Sequence, residues 1–161
     1  MKTCTLRYLE ALDYKPMIAV VNDWWGGRKM ADMLPKLFFT HFSQTSFVAE
    51  QGDGRIGFLC GFLSQSFSDQ AYIHFVGVHP QYRGKGIGRA LYERFFQSVK
   101  EAGRRKISCV TSPVNTASIA FHQRMGFSIE NSGTAIDGLS VFKDYDGSGE
   151  DRVLFSKVLK P

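Results

Sequence analysis

A glycine-rich turn between an apolar strand and a long amphipathic helix constrains the fold more than any other segment. The turn runs over Arg83–Gly88 with the sequence RGKGIG. Because its glycines carry no side chains, several backbone N–H groups can converge on an anion at the N-terminus of the following helix. Arg83, Lys85 and Arg89 add positive charge at the same place. The segment therefore predicts a phosphate or pyrophosphate site between a strand and a helix.

The spacing of these glycines excludes two common phosphate-binding motifs. A Walker A loop requires GxxxxGK(S/T), which does not occur in the chain. A dinucleotide-binding fingerprint requires GxGxxG, whereas this turn has GxGxG and lies at the middle of the 161 residues rather than near their start. The anion is therefore expected to belong to another class of ligand.

Hydrophobic periodicity and turn residues predict a mixed α/β order. Strands are expected at 3–9, 46–50, 56–64, 69–78, 106–111, 127–130 and 153–159. Helices are expected at 13–25, at 28–42 with an interruption at Pro35, at 86–102 and at 115–125. Because one helix joins strands 69–78 and 106–111, those two strands should be parallel.

Length and composition favour one domain of residues 1–161, because no repeat or linker interrupts the chain. The net charge of +5 mildly favours an anionic partner, but the basic clusters are too short to indicate nucleic acid. Cys4, Cys60 and Cys109 form no CxxC pair and are expected to be buried, reduced thiols. Neither a signal-peptide core nor an apolar run of about 18 residues is present, which predicts a cytoplasmic protein without a membrane partner.

Two segments of the chain are similar to two consecutive motifs of a known family. Residues 72–91, a buried strand followed by the Arg83–Gly88 turn and a helix, resemble motif A of the GNAT superfamily of acyl-CoA-dependent N-acetyltransferases. The signature of that motif is Gln/Arg-x-x-Gly-x-Gly/Ala. Residues 115–127 are similar to motif B of the family. The resemblance implies a single-domain α/β fold with a mixed central sheet, a splayed pair of parallel strands and helices on both faces.

The resemblance also implies acetyl-CoA (coenzyme A) as the cosubstrate; no metal is expected, because the cysteines show no zinc-ligand spacing. Main-chain groups of Val76 and Val78 should pair with the pantetheine arm as an added strand would. Asn115 is either a pantetheine ligand or the N-cap of its helix, and one residue can serve both roles. The residues implied at the cofactor are Val76, Val78, Arg83, Gly84, Lys85, Gly86, Ile87, Gly88, Arg89, Asn115, Ser118 and Phe121.

Two histidines are the main candidates for proton transfer. Many relatives have a Tyr four residues before the motif B glycine as the general acid, whereas this chain has His122. An imidazole can donate a proton near neutral pH, so His122 is the predicted acid, and packing beside the cofactor is the alternative. His74 is the predicted base, and Tyr72 is a further catalytic candidate on the same face of the strand, opposite Ile73 and Phe75. A histidine hydrogen-bonded to the backbone is the alternative for His74.

The acceptor is expected between the N-terminal helices and a late loop. Asp23, Trp24 and Arg28 place a carboxylate, a ring and a guanidinium beside a helix break, although paired Trp residues usually belong to the core. Tyr145 lies in the acidic loop 144–151, whose pattern departs from a calcium loop at its twelfth position. Both acidic clusters weakly favour a basic amine.

The predicted function is transfer of an acetyl group from acetyl-CoA to a primary amine of a small molecule by direct attack. A protein or peptide acetyltransferase, acting on an N-terminus or a lysine, is the alternative enzyme. A protein that binds acyl-CoA without catalysis is the alternative of another class, because the change from Tyr to His at position 122 leaves it open. A homodimer is among the expected assemblies.

Overall fold

The computed structural model describes residues 3–161; residues 1 and 2 of the predicted domain lie outside the described part. The strands are β1 (Cys4–Tyr8), β2 (Phe47–Gln51), β3 (Gly54–Leu63), β4 (Gln70–Val78), β5 (Lys106–Thr111), β6 (Ser128–Ile129), β7 (Ala135–Ile136), β8 (Leu139–Ser140) and β9 (Val153–Val158). The helices are α1 (Tyr14–Ile18), α2 (Val21–Trp24), α3 (Leu37–His41), α4 (Ile87–Glu101) and α5 (Thr116–Arg124).

One mixed sheet organises the chain, with strand order β1-β2-β3-β4-β5-β9-β6. Its neighbours are antiparallel except β4 and β5, which are parallel and joined by α4, so the predicted crossover is confirmed. Core residues of α4 such as Leu91 and Phe95 pack on one face. Met17, Val21 and Phe39 from α1, α2 and α3 pack on the other, which confirms helices on both faces.

The two parallel strands separate soon after they meet. β4 pairs with β5 only at Gln70–Lys106, Ala71–Ile107 and Tyr72–Ser108. Beyond Tyr72 the remaining residues of β4 have no partner on β5, while the β3–β4 pairing continues to Val78. The sheet therefore contains a gap that is closed at Tyr72 and open toward the turn at Arg83–Gly88, as the predicted splayed pair requires.

A β-bulge at His74 changes which residues share a face of β4. Cys60 pairs with Phe75 and the next residue, Gly61, pairs with Ile73, so His74 is an extra residue in β4. The expected common face for Ile73 and Phe75 is therefore wrong. Ile73 belongs to the core with α4, and Phe75 belongs to the core with α1–α3.

The two N-terminal helices are shorter than predicted. The helix expected over 13–25 divides into α1 and α2, and the one expected over 28–42 forms only a 3₁₀ turn at Ala31–Met33 followed by α3. Pro35 explains part of the second difference, because proline disfavours a helical conformation for the preceding residue. Leu34 indeed has φ −127° and ψ 65°.

The hairpin of β7 and β8 was not predicted, although the sequence carries a signal for it. Asp137 and Gly138 form its two-residue turn, with φ values of 51° and 78°. An Asp-Gly pair is one of the sequences that favour a tight hairpin turn with positive φ at both positions.

The three cysteines differ in burial, so the expectation of buried thiols holds for two of them. Cys60 and Cys109 are buried free thiols, whereas Cys4 is only half-buried. Between residues 3 and 161, no helix is both long and apolar enough to cross a bilayer.

Candidate functional site

The Arg83–Gly88 turn has the backbone that its glycines suggest. Gly84 and Gly86 have φ values of 74° and 82°, in the left-handed region that glycine adopts readily. Apart from the adjoining backbone, no atom lies within 4 Å of where a Cβ would stand on either residue. Gly86 is the N-cap of the 15-residue helix α4. The turn therefore exposes backbone N–H groups at a helix N-terminus, which is the geometry of an anion site.

A large cleft of 770 Å³ lies along this turn and the open end of the gap between β4 and β5. It brings together the two motifs that lie at 72–91 and 115–127. The predicted cofactor residues that line it are Val76, Val78, Arg83, Gly84, Gly86, Ile87, Gly88, Arg89, Asn115, Ser118 and Phe121. His122, Trp24 and Arg28 also line it.

Val76 and Val78 turn their main-chain polar groups toward the gap. The N–H of His79 donates to the Ile56 carbonyl of β3 at 2.8 Å. Because the direction of these groups alternates along a strand, the N–H and C=O of Val78 and Val76 face the opposite edge. On that edge the Val78 carbonyl accepts a hydrogen bond from Arg83 Nε at 3.2 Å. The Val76 groups are therefore the ones best placed to pair with an extended ligand.

The basic side chains of the turn have different surroundings. The Arg83 guanidinium also donates to the carbonyl of Trp24 at the end of α2, so the side chain joins the turn to the N-terminal helices. Lys85 lies outside the cleft lining, with Nζ 5.3 Å from the centre of the Tyr82 ring. Arg89 is exposed and lies 3.6 Å from Glu93, one helical turn away.

Asn115 is the N-cap of α5. Its Oδ1 accepts a hydrogen bond from the N–H of Ser118 at 3.1 Å, which satisfies a donor that the first turn of a helix leaves unpaired. The expected capping role is therefore confirmed. Its role toward pantetheine stays a prediction, which the position of Asn115 in the cleft lining permits.

Protein partners occupy both ring nitrogens of His122. Nδ1 lies 2.7 Å from the Ser118 carbonyl, which can only accept, so Nδ1 carries the proton. Nε2 then accepts from the Tyr92 hydroxyl at 2.8 Å. The ring is 4% exposed and stacks on Phe155 with 4.7 Å between centroids. A neutral His122 therefore holds its only ring proton in a bond to the α5 backbone, and its acid role stays a prediction.

Burial keeps this pair of side chains neutral. It lowers the pKa of His122, and the hydrogen bond to the Ser118 carbonyl offsets the shift only in part. Burial also raises the pKa of Tyr92 well above its usual value, with a smaller contribution from Cys109. The Tyr92 hydroxyl therefore remains the donor and His122 Nε2 the acceptor.

His74 lies outside the lining of both clefts described for this chain. Its Nε2 lies 2.6 Å from the Met33 carbonyl, and its ring stacks on Phe38 at 4.0 Å. Burial lowers its pKa, whereas the bond to Met33 and the nearby Asp146 act in the opposite direction. A lowered pKa suits a base, but these contacts are those of a packed histidine, so its catalytic role stays a prediction.

A small cleft of 390 Å³ lies at the closed end of the gap. Tyr72, the last paired residue of β4, and Tyr145 of the late loop both line it. Burial is the main cause that raises the pKa of Tyr72 above its usual value, and the nearby Tyr145 raises it further. Phe155 also lines this cleft and stacks on His122 of the large cleft, so the two clefts adjoin at these two rings.

The four predicted acceptor residues do not form one site. Trp24 is 5% exposed and packs in the core against Phe58, although its edge borders the large cleft. Arg28 borders the same cleft, whereas Asp23 is exposed on α2 and lines neither cleft. Tyr145 alone of the four lies at the small cleft.

Hydrogen bonds within the acidic loop 144–151 and ion pairs with the adjacent Arg152 stabilise the loop. Asp144 Oδ1 accepts from the N–H of Gly149 at 2.7 Å, and Asp151 Oδ1 accepts from the N–H of Asp144 at 2.9 Å. Arg152 pairs with Asp146 at 2.8 Å and with Glu150 at 3.2 Å. Within the described part of the chain, no group of three or more His, Cys, Asp or Glu side chains could hold a metal ion.

Sequence reasoning missed several residues of both clefts. In the large cleft they are Gly77, Tyr82, Val114, Thr116, Ala117 and Arg124. Arg124 could have been found, because it lies three residues after Phe121 on α5 and hence on the same helix face. In the small cleft Phe62, Phe67, Ser108 and Glu130 come from distant strands and loops, and no local pattern connects them.

The chain matches known proteins over these same motifs. The model of the acetyltransferase (GNAT) family matches residues 11–127. An L-2,4-diaminobutyric acid acetyltransferase of Nocardia farcinica is 34% identical over 84 residues, which are 52% of this chain and 44% of that protein. The ribosomal protein bS18-alanine N-acetyltransferase of Escherichia coli is 27% identical over 94 residues, which are 53% of this chain and 64% of that protein. The chain therefore spans less than two thirds of either relative.

A solved structure agrees with the fold. The protein yncA from Salmonella typhimurium, solved with its cofactor acetyl-CoA, has a TM-score of 0.71 at 20% identity, over 99% of this chain and 95% of that one. The family match covers more than half of the 161 residues and includes both motifs. The chain therefore belongs to the acetyltransferase (GNAT) family.

Proposed function

We propose that this protein is an N-acetyltransferase that moves the acetyl group of acetyl-CoA to the primary amine of a small molecule. One observation carries the proposal: the large cleft joins a glycine turn at a helix N-terminus to an unpaired strand edge. The turn suits a pyrophosphate, and the edge suits a pantetheine arm. Family membership supports the same ligand.

The proposed reaction is direct attack of a neutral amine on the thioester carbonyl. The C–N bond forms first and the carbonyl oxygen becomes negative; the C–S bond then breaks as the carbonyl is restored, the amine loses a proton and the leaving thiolate gains one. An N–H of β4, that of Val76, stabilises the negative oxygen, since it faces the gap. His122 as acid and His74 as base remain the proposed carriers of these protons.

The small cleft is the proposed acceptor site. It lies at the closed end of the gap, on the other side of the stacked rings of Phe155 and His122. An amine entering there meets the gap from the side opposite the proposed cofactor cleft. Its volume of 390 Å³ is within the range of small-molecule sites.

A protein or peptide acceptor is the second candidate, and the similarity to an enzyme named for a ribosomal protein favours it. Its acceptor segment would need a longer open groove than the 390 Å³ cleft beside Tyr145. The diaminobutyric acid relative, which is named for a small amine, favours the first candidate.

Thiol release from acetyl-CoA, measured with amines, aminoglycosides and peptides, tests the proposal. We expect release with small primary amines and little with peptides. Melting temperatures measured with CoA, NAD and ATP test the cofactor separately, because a ligand that binds only the folded state stabilises it. Equal shifts with all three ligands would contradict CoA as the cofactor. Thiol release with peptides alone would contradict a small-molecule acceptor.

A further inference from the structure

The small cleft has aromatic walls. The rings of Phe62 and Tyr72 lie 5.5 Å apart, and Phe67 and Tyr145 stand at the mouth with 59% and 47% of their surface exposed. Phe155 forms part of its inner end. An apolar or aromatic body is the ligand that such a surface stabilises most.

The cations around this cleft are already paired. Lys106, the only cationic side chain in its lining among the described residues, lies 3.7 Å from Glu130, which also lines it. Nearby, Arg152 binds Asp146 and Glu150, and Arg104 donates to the carbonyls of Ser64, Phe67 and Gln70. A carboxylate placed in the cleft would thus lose its hydration without gaining a free cation.

An amine meets the opposite situation. Apolar surroundings disfavour a charged ammonium, and the neutral amine is the form that attacks a thioester. Before it loses its proton, an ammonium can lie over the faces of the aromatic rings at the mouth. The cleft therefore suits the amino group and the apolar body of an acceptor but not an acidic group on it.

We infer that the acceptor is a primary amine on an aromatic or alkyl body without a carboxylate. This inference rests on the proposed function and adds the class of substrate. It differs from what the diaminobutyric acid relative is named for, because that acceptor carries a carboxylate. The difference lies in one chemical group, so the experiment can isolate it.

The test compares ligands that differ chiefly in that group, and kcat/KM is expressed per neutral amine because the group also changes the pKa of the neighbouring amine. Phenethylamine, phenylalaninamide and phenylalanine are each assayed for kcat/KM with acetyl-CoA, together with cadaverine and lysine. We expect the two compounds without a carboxylate in the first set to exceed phenylalanine by more than tenfold. The neutral amide controls for size, so a poor amide with a poor amino acid would mean exclusion by bulk and would overturn the inference.

A variant tests the charge argument directly. Glu130→Gln leaves Lys106 without its partner, so we expect the preference against phenylalanine to shrink severalfold. Glu93→Gln, which removes a carboxylate from an ion pair on α4, is the matched control and should leave the preference unchanged. An unchanged preference in Glu130→Gln would contradict the role of the paired lysine.

Binding measured without turnover separates this inference from the proposed function. Calorimetric titration of the same three ligands into protein saturated with CoA gives their affinity ratio. Tighter binding of phenethylamine than of phenylalanine supports the substrate class even if no acetyl transfer occurs, in which case the proposed function alone fails. Equal or tighter binding of phenylalanine overturns the class.

Discussion

The two clefts of this protein are built from different chemical groups. The large cleft is formed by backbone at Gly84 and Gly86 and by arginines such as Arg28 and Arg124, which have no side-chain partner among the described residues. The small cleft is formed by ring faces and by a lysine that is already paired. The large cleft is therefore suited to an anion, and the small one to an apolar group or an amine.

This difference shows which kind of site a sequence reveals. An anion site made of backbone needs glycines at fixed spacing before a helix, and such spacing is visible in the chain. A site made of ring faces needs only apolar residues, which occur throughout a core. The predictions below test this contrast, beginning with the largest effect.

Gly86→Glu should abolish binding of CoA to the large cleft. The new side chain would stand where no atom lies within 4 Å of the Cβ position and would place a carboxylate against the phosphates. Like charges in contact cost several kcal/mol, which corresponds to a loss of affinity greater than about a hundredfold. Calorimetric titration with CoA measures it.

Gly103→Glu is the matched control. Gly103 has a φ of 74° with open space around it, like Gly86, but it follows the other end of α4. Both variants thus carry the same strain of roughly 1–2 kcal/mol for a side chain in the left-handed region. Tight CoA binding by folded Gly86→Glu protein would show that the pyrophosphate lies elsewhere.

His122→Phe should lower stability and, if His122 is the acid, activity as well. The buried Tyr92 hydroxyl would lose its acceptor, at a cost of about 1–3 kcal/mol in the free energy of unfolding. The predicted acid role adds a fall in kcat of about 10²–10⁴-fold with little change in the KM for acetyl-CoA. Urea unfolding and steady-state kinetics measure the two effects.

A double variant separates packing from catalysis. Tyr92→Phe combined with His122→Phe removes both partners of the hydrogen bond, so most of the lost stability should return. If His122 is the acid, kcat stays low in the double variant. If kcat returns to within tenfold of the wild-type value together with the stability, His122 has a packing role and the acid prediction is wrong.

The sequence predicted the large cleft far better than the small one. The glycine turn and α5 each belong to a short continuous motif whose spacing is visible in the sequence. Eleven of the twelve expected cofactor residues therefore line the cleft, and only Lys85 does not. Periodicity failed at β4, because a bulge at His74 depends on the pairing with β3 and leaves no local mark. The short N-terminal helices depend on packing against the sheet, which no local propensity contains.

Arg83→Gln should affect the wall of the large cleft more than its phosphate turn. The guanidinium binds the carbonyls of Trp24 and Val78, so its loss releases the end of α2. Both tryptophans of the chain, Trp24 and Trp25, lie there, and intrinsic fluorescence therefore reports on this segment. We expect a shift of the emission maximum and a loss of CoA affinity of roughly tenfold, from about 1.5 kcal/mol for a hydrogen bond to a charged group.

The control for this variant is Arg89→Gln. Arg89 is an exposed arginine that lines the same cleft but contacts Glu93 rather than the N-terminal helices. Its loss should weaken CoA binding without moving the tryptophan emission. Identical emission spectra of Arg83→Gln and wild-type protein would contradict the link between the turn and α2.

The smallest expected effect is the dependence of stability on pH. Burial lowers the pKa of both His122 and His74 in the folded protein, so the unfolded chain binds more protons than the folded one near the ordinary histidine pKa of about 6.5. The stability that neutral histidines provide is therefore complete above about pH 6.5 and is lost as the pH falls toward the lowered values. Each histidine contributes a slope of at most about 1.4 kcal/mol per pH unit.

Urea unfolding between pH 7.5 and 5 should show a shallower slope for the Tyr92→Phe, His122→Phe protein than for wild type. The control is His41→Gln, at an exposed position on α3, which should keep the wild-type slope. Parallel slopes for the wild-type and double-variant proteins would mean that His122 takes up its proton without unfolding. The neutral hydrogen-bonded pair with Tyr92 would then not be what the fold stabilises, and a protonated His122 would become available as the acid at the boundary between the two clefts.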